Sequence, residues 1–272
     1  MTAAELTVRL RPSPALPRTR TLRWWHEFLL IATGYLVYMQ IRNAVPARRG
    51  LADELAVRVL DVERWLHLDF ERAMNAAVAS REWLAVAMNY YYASAHFTVT
   101  IAVAVWVLAR RLPAARGVRI AWYASNLVAL ACYWLVPLTP PRLLPHLGYV
   151  DTVVVFDTWG SWSSESIAAA TNQYAAMPSM HVGWALWVAL TLWHLAGTRR
   201  WRWAGVVHLT LTCVVIVGTG NHFWLDAVGG ALALAVGVLV ARAITRKPVF
   251  SRHESAPDPD LSPRQLSAAA SR

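Results

Sequence analysis

Residues 223–242 read FWLDAVGGALALAVGVLVAR, twenty positions that are apolar except for Asp226 near one end and Arg242 at the other. At ~1.5 Å of rise per residue, about 20 such residues cross a hydrocarbon layer roughly 30 Å thick as one helix. The same kind of block recurs upstream, near 24–41, 83–109, 118–137, 180–196 and 204–219, with short charged stretches between. Fifty-seven per cent hydrophobic residues and only 15% charged ones agree with that reading, as does a positive mean hydropathy. The fold expected is all-α, a polytopic transmembrane bundle of six helices. Trp24, Trp25, Trp83, Trp122, Trp134, Trp201, Trp203 and Trp224 fall near block ends, where indoles prefer the headgroup layer.

The net charge of +10 does not point to nucleic acid, because the basic residues form no stripe beside exposed aromatics. They gather at alternate block ends instead. With the N-terminus inside, eighteen of the 26 Lys and Arg residues fall in inner segments, from Arg9 to Arg23, Arg110 to Arg119, Arg199 to Arg202, and Arg242 onward. Of the other eight, seven lie between Arg42 and Arg81, interleaved with acids. The long segment 138–179 has only Arg142. The positive-inside rule therefore puts both termini in the cytoplasm, and the expected location is the plasma membrane. The organisation expected is a cytoplasmic tail over 1–20, one membrane domain over 21–248 and a second cytoplasmic tail over 249–272. Both tails are rich in Pro, Arg, Ser and Ala without apolar period. The Arg-rich lead into the first block resembles a signal peptide; its length and its Tyr35, Tyr38 and Gln40 favour an uncleaved span, with cleavage after Ala47 as the alternative. Leu51, Leu55, Val59, Val62 and Leu66 share one helical face, which predicts an amphipathic helix lying along the outer surface. Cys132 and Cys213 sit inside apolar blocks and read as small core residues rather than a bridge.

Four polar features collect on the expected outer side: Thr139-Pro140-Pro141-Arg142, Met177-Pro178-Ser179-Met180-His181, Gly218-Thr219-Gly220-Asn221-His222, and Asp226. His222 and Asp226 are spaced i, i+4 and can meet on one face. A carboxylate on one imidazole nitrogen fixes the tautomer and frees the other nitrogen as a base or nucleophile; a His–Asp pair that only ties helices together is the plainer reading. An ionisable group at the hydrocarbon edge costs roughly 2.5–3.5 kcal/mol, so Asp226 needs a partner. Pro178-Ser179 reads as a helix start whose free amides suit an anion, with His181 in the same turn. Arg142 fits phosphate binding or headgroup contact. Zinc is the competing chemistry for two His and an Asp, but no His-Glu-x-x-His is present and Arg142 would repel a cation. Asn89 and His96 are seven apart in the second block and, with Asn221, are candidates for lining the cavity; a helix–helix hydrogen bond is the plainer role for the first two. His194 and His208 fall toward the cytoplasmic side, and Ser161-Trp162-Ser163-Ser164-Glu165 reads as a loop over the site.

PSMH at 178–181 and GNHFWLD at 220–226 resemble the second and third signatures of the type 2 phosphatidic acid phosphatase superfamily, Pro-Ser-x-His and His-x-x-x-Asp. TPPR at 139–142 with TGNH at 219–222 is most similar to its inositol phosphorylceramide synthase branch. The resemblance implies a six-helix core and a membrane enzyme acting on a lipid-linked phosphate. It implies His222 as the nucleophile that forms a phosphohistidine, oriented by Asp226. His181 would be the general acid, a role worth about 10²–10⁴ in rate, and Arg142 and Ser179 would bind phosphoryl oxygens. It implies no metal and no cofactor. The chain departs from the wider superfamily at Leu135, where a Lys is usual, and at Val215-Ile216, where Ser-Arg is usual. Two phosphate-binding cations fewer suit a singly charged phosphodiester, and transfer of a phosphoinositol-type headgroup to a hydroxyl acceptor, such as an inositol-containing or lipid alcohol, stands beside hydrolysis. From another class, a non-catalytic transporter or assembly factor would use the same cluster for binding, though transporters place polar groups near the midplane.

Overall fold

The computed structural model describes residues 24–44, 48–110, 112, 114–158 and 173–251. The tail over 1–20, residues 252–272 of the tail expected over 249–272, the cleavage point at Ala47 and the 161–165 segment lie outside the described residues; Val249, at the start of that expected tail, is buried in the core. Regular structure among the described residues is helical, apart from one isolated bridge between Leu138 and Ala175. The helices are α1 (Trp24–Asn43), α2 (Arg49–Trp65), α3 (Glu71–Ala79), α4 (Glu82–Ala109), α5 (Ala115–Leu135), the single turn α6 (Thr152–Val155), α7 (Met180–Leu195), α8 (Arg199–Gly218) and α9 (Trp224–Thr245).

Among the described residues three helices, α4, α8 and α9, are long and apolar enough to cross a membrane. Their outward positions are large and apolar: Ile101 and Val105 on α4, Val207 and Leu211 on α8, Leu232 and Leu239 on α9 are all exposed. Helices also form at the other three expected blocks, with features that lower their apolar count. α7 has 16 residues, about 24 Å of helix. α5 starts with Arg116 and Arg119, and α1 carries Glu27 and Arg42.

The core lies between α5, α7 and α9, where Ala121, Trp122 and Ala129 meet Trp184, Val188, Ala233 and Leu234. Small residues set the spacing. A Cβ on Gly237 would collide with the Ala121 carbonyl, and one on Gly230 with the Ser179 carbonyl. Backbones that close gain dispersion contacts where lipid offers no hydrophobic drive. Val249 closes the far end against Gly117.

α2 and α3 pack across the other end. The amphipathic helix forms where expected, but its packed face is Ala52, Ala56, Leu60 and Glu63, beside Leu138, Leu144 and Phe223. The stripe read from the sequence is rotated away, with Leu51, Val62 and Leu66 exposed and Leu55 and Val59 at its border. The alanines are the physical reason: they let the helix backbone approach, which the bulkier stripe would not.

Overpacking of this sort costs about 1–3 kcal/mol, and each kcal/mol moves a midpoint by roughly 2–4 °C at this size. Gly230→Ala and Gly237→Ala are therefore expected to lower the melting midpoint of detergent-solubilised protein by several degrees. Gly50→Ala, with open space around its Cβ, should leave the midpoint unchanged or raise it.

Candidate active site

Two helix starts meet at the α2–α3 end. The Ser179 N–H, just before α7, donates to the Asp226 carbonyl in the first turn of α9 at 2.8 Å, so the two signature segments are joined through their backbones. Tyr133 on α5 donates its hydroxyl to the Pro178 carbonyl at 2.9 Å. Ser179 is fully buried, and its Oγ has no hydrogen-bond partner among the described residues. Its side chain does not cap α7, which leaves the first-turn amides and the positive end of the dipole for an anion.

His222 precedes α9. Its Nδ1 lies 3.2 Å from Asp226 Oδ2, which also accepts the Phe223 N–H at 3.0 Å. Asp226 is fully buried and His222 nearly so. With Nδ1 donating to the carboxylate, the lone pair is on Nε2, and Nε2 is buried without a partner among the described residues. The His181 ring centre is 5.6 Å from that of His222. It stacks on Tyr92 at 4.1 Å and touches His96 at 3.9 Å, both from α4, so its plane is fixed by packing.

Arg142 is anchored at both ends. Its N–H donates to the Gly220 carbonyl at 2.8 Å. Its guanidinium donates to Asn221 Oδ1 at 3.1 Å, Asp151 Oδ2 at 2.7 Å and Gln173 Oε1 at 3.4 Å. Asn221, adjacent to His222, is itself held by donating to Thr219 Oγ1 at 2.8 Å. Gly220 has φ +68°, and a Cβ there would press on Asn75 and Arg142, which accounts for glycine in this turn.

The structure thus brings together His181, His222, Asp226, Ser179 and His96, with Arg142 and Asn221 tied to the turn that carries His222. Asn89 points elsewhere, donating to Thr158 Oγ1 and accepting from Thr152 Oγ1. His208 bonds Tyr91 and His194 stacks on Phe250. Among the described residues no group of three or more His, Cys, Asp or Glu is placed to hold a metal ion.

Sequence reasoning missed Tyr92, Asp151, Gln173 and Arg42. Tyr92 had a signal, since Asn89, Tyr92 and His96 are spaced i, i+3, i+7 on one helix face. Arg42 follows Tyr38 by one turn, and Tyr38 packs on Trp184 at 6.5 Å, one turn beyond His181. Asp151 and Gln173 carried no local signal, because they reach Arg142 through loops.

No curated protein and no solved structure matches the chain. A family model does, over residues 57–240, a stretch that holds α3 to α8, more than half of α2, most of α9, and Arg142, Ser179, His181, His222 and Asp226: by that match the chain belongs to the PAP2 superfamily.

Proposed function

We propose that this protein is an integral membrane lipid phosphatase or phosphotransferase that works through a phosphohistidine on His222, without a metal or cofactor. Membership of the PAP2 superfamily supports phosphatase-type activity. The observation that carries the mechanism is the buried, unpartnered Nε2 of His222, with Nδ1 held on Asp226 and a second imidazole, His181, alongside. In the first step Nε2 bonds to phosphorus as the bond to the leaving oxygen breaks, and His181 gives that oxygen a proton. In the second, water or an alcohol attacks the phosphohistidine, His181 takes its proton, and the P–N bond breaks. Arg142, the Ser179 hydroxyl and the open amides of α7 take the non-bridging oxygens as charge shifts.

On this reading α1, α4, α5, α7, α8 and α9 all cross the bilayer, with both termini cytoplasmic and the site at the extracytoplasmic face of the plasma membrane. The exposed apolar residues of α2, together with exposed Trp65, Phe70 and Trp83, suit the headgroup layer there. Substrates are lipid-linked phosphates from the surrounding membrane. Asp151 offsets the charge of Arg142, which favours a singly charged phosphodiester and so supports transfer of a phosphoinositol-type headgroup to a hydroxyl acceptor. The cluster lies at one end of the helices rather than at mid-height, which favours chemistry over transport.

Purified protein incubated with phospholipids and prenyl phosphates should turn over at least one of them in the presence of EDTA. His222→Ala should abolish that turnover and the acid-labile phosphoenzyme, while His181→Ala should lower kcat about 10²–10⁴-fold. Activity that survives both substitutions, or that EDTA removes, ends the mechanism. Asp151→Asn leaves the charge of Arg142 uncompensated. It should shift the ratio of kcat/KM values toward phosphomonoesters by about tenfold, a change of ~1.4 kcal/mol; an unchanged ratio counts against the phosphodiester preference.

A further inference from the structure

α2 and α3 each send one acid to the same point. Glu63 Oε1 accepts the Leu225 N–H at 2.8 Å, and Glu71 Oε1 accepts the Trp224 N–H at 3.0 Å. Both side chains are fully buried, and the second oxygen of each has no other hydrogen-bond partner among the described residues. The two acids sit on adjacent amides, and one proton held between their remaining oxygens would satisfy both. Together with Asp226, which takes the Phe223 N–H, they occupy the amides of the N-cap and of the first two residues of α9. Two dry carboxylates this close cannot both be ionised at modest cost. Burial is the main force pushing Glu63 up to about 9; the Leu225 N–H opposes it, and neighbouring Glu71 and Asp226 add to it. Among the described residues Tyr149, itself raised by burial and by Glu71 and Glu63, also lies near the pair, with Arg64 and Arg72 acting on it in the opposite sense.

We propose that Glu63 and Glu71, sharing one proton, are positioning residues that clasp the start of α9 and so fix where His222 presents its Nε2. His222 is joined to the clasped turn through Phe223 in the chain and through its Nδ1 contact with Asp226, so a shift of α9 moves the nucleophile directly. The kinetic side of this inference rests on His222 as nucleophile; the shared proton does not.

The sign of the linkage is definite. The folded protein keeps the Glu63 proton up to about pH 9, while the unfolded chain loses it near about 4.3. Stability from this group therefore falls as pH rises through that window and is level above it. Full-length protein in detergent should melt at progressively lower temperature from about pH 5 to about pH 9, and the wild-type kcat should drop on an alkaline limb near the upper end of that window. Glu63→Gln keeps an acceptor for Leu225 and a donor to Glu71 without a titratable proton. It should retain turnover at neutral pH, flatten the melting profile and move the alkaline limb up by about one pH unit or more. Glu63→Ala and Glu71→Ala should lower kcat about tenfold or more with little change in KM. A Glu63→Gln protein whose melting profile and alkaline limb both match wild type overturns the proposal, as does a folded Glu63→Ala protein with wild-type kcat. If the alanine variants fail to fold, the glutamine variant decides. Should wild-type protein turn over no phosphate ester, the melting comparison still tests the shared proton, and only the proposed function falls.

Discussion

The site depends on how closely α7 and α9 cross. Gly230 lets the Ser179 carbonyl come against the α9 backbone, and the Ser179 N–H then reaches the Asp226 carbonyl. That contact brings His181, in the first turn of α7, and His222, just before α9, together with their ring centres 5.6 Å apart. A side chain at Gly230 would push the helices apart before any loop could compensate, since packed interiors relax only partly. Loops carry Arg142 and Asn221 to the site, but the spacing they meet is set by glycine inside a helix.

The two helix starts are used in opposite ways. Three carboxyl groups fill the amides at the start of α9, so its positive end is already occupied. The start of α7 has no side-chain cap and keeps its amides for an incoming anion. A phosphoryl group approaching the cluster therefore meets a positive helix end on the Ser179 side and an acid-backed imidazole on the other. On the proposed mechanism this charge difference would orient the substrate so that phosphorus faces His222.

Much of this was legible in the sequence. Long apolar blocks marked α4, α8 and α9, and the i, i+4 spacing marked the His222–Asp226 pair, because both depend only on helix geometry. The start of α7 followed from Pro178-Ser179. What depends on distant contacts was hidden. Nothing near Asp151 or Gln173 shows that they hold Arg142. Glu63 and Glu71 looked like members of a solvated charged run, yet both are fully buried. The apolar stripe of α2 marked an amphipathic helix, but not that Ala52, Ala56, Leu60 and Glu63 would form its packed face. Residue size rather than hydrophobicity chose that face, and a hydropathy pattern records only the latter.

Arg142 is not a bare cation waiting for phosphate. It holds Asp151 at 2.7 Å, so on the proposed mechanism an arriving anion would trade places with a resident carboxylate instead of filling an empty berth. Such an exchange grips ground-state phosphate weakly, and on the phosphatase reading the spent phosphate departs as readily as it came. Loose retention of product would keep the enzyme turning over on a membrane where its own reaction releases more of the same ion.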